Sequence, residues 1–270
     1  MADIQFFLRN ALAASGVVLK NGLSGAPALE QHVDWPMSNL LLADRYSYWR
    51  TSDSVGGGNF QVDFDLGSAQ TIEAWGVAML RTYAAVGLPT YPVFDLYYAT
   101  GSTYPPGAWN QIAGPFGTGK NNDFDDTISQ SARFWRFDAF PSPDTPISCH
   151  LWLVKSADRL VIAHDWGAGT AMGQRRFREE VRSPSGLLYS FEPAEAIASD
   201  LRELRLRLPG MTEAEWVSLR DKLTAADSRV ILYAPPTLAT VEFALPDGAI
   251  GAQRRFGGLH DFELRLVEHP

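Results

Sequence analysis

Residues 60–80 read FQVDFDLGSAQTIEAWGVAML. Val62, Phe64 and Leu66 alternate with Asp63 and Asp65, the period-two pattern of a strand with one buried face. On that pattern Asp63 and Asp65 are expected on the solvated side. Residues 72–80, IEAWGVAML, form a longer and mostly apolar run, as a central sandwich strand would. Working outward, VFDLYYA (93–99), RFWRFDAF (133–140) and CHLWLV (149–154) repeat the strand signal, with Gly, Pro, Asn and Asp between them. Short strands at this spacing predict an antiparallel β-sandwich or jelly roll. A helix is expected in this half only over Ile4–Ala14, if anywhere.

The later part of the chain has a different pattern. ELRLRLPG (203–210) alternates leucine with charge, and RVILYAPP, VEFAL and FELRLVE also read as strands. MTEAEWVSLRDKLTAAD (211–227) reads as a helix. Thr212 and Glu215 stand at capping-box spacing, and Trp216, Leu219 and Leu223 form one apolar stripe. The composition shifts as well. Six of eight Trp lie before residue 157, and 14 of 23 basic residues lie after it. The expected organisation is therefore a β-sandwich over 1–157 and a smaller α+β domain over 158–270, with antiparallel strands and one helix. The chain as a whole is expected to be mainly β.

Composition narrows the function classes. A single cysteine, Cys149, cannot form an internal disulfide, and its place in an apolar strand suits a small buried side chain. A net charge of -8 argues against a nucleic-acid partner. No apolar run reaches the ~18 residues of a membrane span, and the opening MADIQFFLRNALAASG lacks a signal-peptide pattern. Assembly in a cytoplasm is the expectation.

No catalytic motif emerges. Gly56–Gly58 is followed by Asn59 rather than by a phosphate-loop lysine, and the spacing of GLSGA (22–26) does not fit a nucleophile elbow. The five histidines are scattered without ligand spacing, so no metal site and no cofactor are expected. His164-Asp165 reads as a strand end. The carboxylates of DFDD (123–126) would need a facing partner across a cleft to process sugars. Loop aromatics are the better candidates. Tyr83, Tyr91 and Tyr104 lie in Gly/Pro-rich segments, where rings stack on sugars, anchor partners or pack back over the sandwich ends. Trp49 and Trp109 read as core plugs.

The first 157 residues resemble the discoidin family, the coagulation-factor type C jelly roll. The resemblance rests on NLLLADRYSYWRTS, FQVDFDLGSAQTIEAWGVAML, FDLYYATGSTYPPGAWNQI and ARFWRFDAF in order. Asp65-Leu66-Gly67 and Arg133-Phe134-Trp135-Arg136-Phe137 occupy the family's motif positions. The resemblance implies an eight-stranded sandwich whose loops bind glycans, lipid headgroups or proteins. It also implies calcium near Asp44, but Arg45 stands where the family has glycine.

The second part resembles distal tail and tail-tip proteins of tailed bacteriophages. The carrying stretches are ELRLRLPGMTEAEWVSLRDKLTAADSRVILYAPP, VEFALPD and QRRFGGLHDFELRLVE. Thr212, Glu215 and Glu268 match that pattern. The resemblance implies a non-enzymatic virion component at the tail tip. It would assemble as a homo-oligomeric ring and link the tail tube to hub or fibres, its partners being other tail proteins. Arg202, Arg205 and Arg207, alternating with leucine, are the candidate subunit contacts. The alternative is a carbohydrate-binding protein that recognises a host surface glycan through the three loop tyrosines.

Overall fold

The computed structural model describes residues 4–20, 36–42, 49–50, 60–79, 93–112, 122–140, 148–162, 171–175, 179–182, 188–191, 201–227, 229–233, 241–244, 252–254 and 257–268. The strands are β1 (Ile4–Phe7), β2 (Val18–Lys20), β3 (Trp49–Arg50), β4 (Phe60–Ile72), β5 (Ala74–Met79), β6 (Val93–Ala99), β7 (Asn110–Gln111), β8 (Asn122–Asp125), β9 (Gln130–Phe140), β10 (Ser148–Val154) and β11 (Arg159–Ile162). They continue as β12 (Ala171–Arg175), β13 (Glu179–Arg182), β14 (Leu188–Phe191) and β15 (Leu201–Met211). Helix α1 (Glu213–Thr224) precedes β16 (Arg229–Tyr233), β17 (Val241–Ala244), β18 (Ala252–Arg254) and β19 (His260–Glu268). The protein is mainly β, and its described pairings are antiparallel, as the alternating pattern predicts.

Two compact units divide the chain. One comprises Met1–Ile162 with Ala226–Glu242, and the other Ala163–Ala225 with Phe243–Pro270. The composition shift therefore falls near the end of the first long segment. Segment 226–242 belongs with the first unit because β16 pairs with β1, registering Phe6 with Leu232 and Phe7 with Ile231.

The first unit is layered. A five-stranded sheet in the order β2-β4-β9-β6-β7 faces a four-stranded sheet in the order β3-β10-β5-β8. Val62, Phe64, Leu66, Leu96, Trp135 and Phe137 meet Trp49, Trp75, Val77, Cys149, Leu151 and Leu153 in one core. The four-stranded sheet is also covered on its other side. Ala74, Ala78, Phe124, Trp152 and Val154 pack there with Phe7 of β1 and Ile231 of β16. Burial on both faces explains why 72–80 and 149–154 are nearly continuous apolar runs. Expected core residues Trp49 and Cys149 are 1% and 0% exposed. Residues 4–7, where a helix was conceivable, form a strand, and Ala11–Ala13 make only a 3-10 turn capped by Asn10.

In the second unit, β15 pairs with β12 and with β19, and β19 also pairs with β17 and β18. Leu204, Leu206 and Leu208 are buried, as are Phe262, Leu264 and Leu266 of β19. Helix α1 starts at the expected capping box. Thr212 Oγ1 accepts from the Glu215 amide, and the Thr212 amide donates to Glu215. Trp216, Leu219 and Leu223 are buried, and the Trp216 ring lies 5.6 Å from Phe262. The helix thus covers the inner face of β19.

Candidate functional site

The outer face of the five-stranded sheet carries a polar lattice. Cross-strand register aligns Gln61, Asp63 and Asp65 of β4 with Asp138, Arg136 and Phe134 of β9. The next strand, β6, sets Asp95, Tyr97 and Ala99 opposite those same β9 residues. Because successive side chains alternate, these groups share one face while Val62, Phe64, Trp135 and Phe137 fill the core behind it.

The expectation that Asp63 and Asp65 are solvated is corrected here. Asp63 is 0% and Asp65 5% exposed. Arg136 donates from Nε and Nη2 to Asp63 at 2.6 and 2.8 Å. Arg133 donates likewise to Asp65 at 2.7 and 2.9 Å. Both pairs are bidentate, the strongest form of charged hydrogen bond. Asp65 also accepts from the Gly67 amide at 2.9 Å, and Gly67 has φ +79°, a conformation suited to glycine. That turn is the Asp-Leu-Gly motif, and it marks the register shift between Asp65 and Gln70. The Arg133 hydrogen bonds hold the Asp65 carboxyl below the usual range against its own burial.

The connection between β6 and β7 lies over this lattice. The Tyr104 hydroxyl donates to Asp63 Oδ2 at 2.9 Å, and its ring sits 5.8 Å from Phe134. Burial, then the Asp63 charge, pushes its phenol up to about 12. The Trp109 ring lies against the Arg136 guanidinium at 4.3 Å. Trp109 is half-buried and so is not a core plug of the sandwich; it flanks a charged group on the outer face. Asn110 and Gln111 of the edge strand β7 are exposed beside it, with Gln111 in register with half-buried Tyr97. The result is an aromatic ring fixed by a buried ion pair, with exposed amides next to it. Such a surface offers a hydrophobic platform and directional hydrogen bonds, the elements of sugar recognition.

Among the three candidate tyrosines, Tyr104 belongs to this face with its hydroxyl engaged internally. Tyr83 and Tyr91 lie outside the described residues, as do Asp44 and His164-Asp165. Of the candidate contact arginines, Arg205 and Arg207 sit on the exposed side of β15. Arg205 binds Glu263 bidentately at 2.8 and 3.0 Å, and Arg207 lies 3.5 Å from the same carboxylate. The Arg202 backbone pairs with Gln174, and its side chain lies outside the described residues. Among the described residues, no group of three or more His, Cys, Asp or Glu side chains could hold a metal.

Sequence reading placed Arg136 only within a motif, without a role, and passed over Asp95 and Asp138. Their signal was the alternation Arg136-Phe137-Asp138, which places a cation and an acid on the face opposite Phe137.

No protein-family model and no curated protein matches this chain. Solved structures align with just over half of it. A Ruminococcus gnavus GH29 fucosidase in complex with fucose aligns at 18% identity and TM-score 0.40, covering 55% of this chain and 27% of that one. Chitosan-binding module 1 from a Paenibacillus sp. IK-5 chitosanase/glucanase aligns at 13% identity and TM-score 0.40, covering 54% and 98%. The family 32 carbohydrate-binding module from Streptococcus pneumoniae EndoD aligns at 17% identity and TM-score 0.40, covering 55% and 100%. The chain thus spans about a quarter of the fucosidase and nearly all of the isolated modules. No helix among the described residues is long and apolar enough to cross a membrane.

Proposed function

We propose that the first unit is a non-catalytic carbohydrate-binding module, with the outer face around Trp109 as its platform. The carrying observation is the Trp109 indole held at 4.3 Å from Arg136, itself locked to buried Asp63. A ring fixed before the ligand arrives loses little freedom on stacking, so its hydrophobic and CH–π contact is retained as affinity. Asn110 and Gln111 supply donors and acceptors at the ring's edge. Carbohydrate-binding modules are among the structures that align with part of the chain, and the reading itself rests on the Trp109 geometry.

Affinity electrophoresis of the full chain through gels containing soluble polysaccharides tests it. The wild type is retarded by at least one glycan, and Trp109→Ala weakens that binding by about tenfold or more. Retardation by none, or equal retardation of the variant with its melting temperature intact, overturns the proposal.

A second reading, a structural subunit of a phage tail tip, draws on the second unit. Arg205, Arg207 and Arg265 surround the single carboxylate of Glu263 on the exposed ribbon of β15 and β19. Exposed arginines on this ribbon suit an acidic neighbour, although Asp261 on the same face of β19 offsets part of their charge. In this reading Arg205→Glu with Arg207→Glu lowers the oligomer mass in light scattering. A mass unchanged by the pair counts against it.

A further inference from the structure

The polar lattice contains more buried acid than its cations can neutralise. Asp95 and Asp138 lie directly opposite each other across β6 and β9. Each residue is 8% exposed, and each has one buried oxygen, Oδ1, without a hydrogen-bond partner. Their remaining contacts are long. Gln61 donates to Asp138 Oδ2 at 3.3 Å, and the Tyr97 hydroxyl donates to Asp95 Oδ2 at 3.5 Å. Arg136 is the nearby cation, but both of its short bonds go to Asp63, and its Nε is 4.0 Å from Asp138.

The groups facing Asp138 from each packed element can be named. They are Asp63 and Gln61 from β4, Asp95 and Tyr97 from β6, and Arg136 on β9 itself. Tyr104 reaches Asp63 from the covering connection, and Lys20 of β2 lies 5.9 Å from the Tyr104 ring. Three carboxylates therefore share one closely placed guanidinium. Two opposed carboxylates in a poorly solvated place resist double ionisation.

We propose that Asp138, opposed by Asp95 in this poorly solvated place, keeps its proton under mildly acidic conditions, and that releasing it as the pH rises weakens the outer face beneath Trp109. Burial first, and then Asp63 and Asp95, push the Asp138 carboxyl up to about 6, against the pull of Arg136 and Gln61. An acid whose folded pKa lies above its unfolded value keeps its proton longer in the folded state. Stability then falls as pH rises from the ordinary aspartate range to about 6, and the penalty stays constant above that.

The side-chain carboxyl carbon of Asp138, followed by NMR in the full chain, tests this directly. The expected midpoint is about 6, set mainly by burial, and it falls in Asp95→Asn because the opposing charge is gone. A midpoint in the ordinary aspartate range, or one that Asp95→Asn leaves unmoved, overturns the proposal. A second measurement holds even if Asp95→Asn folds poorly. Asp138→Asn mimics the protonated acid, so it melts higher than wild type at about pH 8 and by much less at about pH 4. An equal or lower melting temperature at the higher pH overturns the proposal. Neither readout uses a sugar, so the outcome is independent of whether the Trp109 platform binds one.

Discussion

At the scale of single residues, the Asp63–Arg136 pair dominates the outer face. Asp63 is fully buried, so removing its cation leaves an unpaired charge out of water. Arg136→Met is expected to lower unfolding free energy by about 3–5 kcal/mol in urea titration. Adding Asp63→Leu to that variant should recover much of the loss, because a well-packed apolar pair is often as stable as a buried ionic one. Asp65 makes a different prediction. Its folded pKa is depressed, first by Arg133 and also by the Gly67 amide. Its contribution is therefore present above the unfolded value and is lost as pH falls toward the folded one. Asp65→Asn should flatten the acid limb of a stability–pH curve; a limb as steep as wild type would contradict this. Reading the sequence made the alternation of Asp63 and Asp65 legible but not their burial. Alternation depends only on neighbours, whereas burial depends on Arg133 and Arg136, which pair with them from 68 and 73 residues away.

At the scale of elements, local signals carried furthest. The capping box of α1 needs only Thr212 and Glu215, three residues apart, and the structure forms both of its hydrogen bonds. Thr212→Ala is expected to destabilise the helix-bearing unit by about 1 kcal/mol, measured as a lower urea midpoint at constant slope. The stripe of Trp216, Leu219 and Leu223 was equally legible, since a period of 3.6 residues defines its own face. Strand β10 was harder. Its run CHLWLV announces a buried strand, but not that Cys149, Leu151 and Leu153 face one core while Trp152 and Val154 face another. The second layer depends on Phe7 of β1, near the start of the chain, and on Ile231 of β16, near its end. Trp109 shows the same limit. Its residues read as a core plug, and only the structure places the ring against Arg136 on the outer face.

At the scale of the whole molecule, the chain leaves its first unit at Ile162 and returns to it at Ala226. Composition cannot reveal such a return, because a boundary inferred from Trp and Arg content is a single cut along the sequence. Three observations secure the returning segment. β16 pairs with β1, Ile231 enters the cluster with Phe7 and Trp152, and Asp227 bonds the Asn10 and Leu8 backbones at 2.9 and 2.8 Å. Asn10 in turn ties itself to β10, donating to the Leu151 carbonyl at 2.7 Å and accepting from the Leu153 amide at 3.1 Å. A fragment of residues 1–162 therefore lacks a strand, a hydrogen-bonded anchor and the buried side chains of Val230 and Ile231. It is expected to bind a hydrophobic dye, and its Gln5–Phe7 amides should exchange faster than in the full chain. Joining residues 226–242 to it through a flexible linker should restore amide protection and abolish dye binding. If the bare 1–162 fragment already shows full protection, β16 is dispensable and the first unit is complete without it.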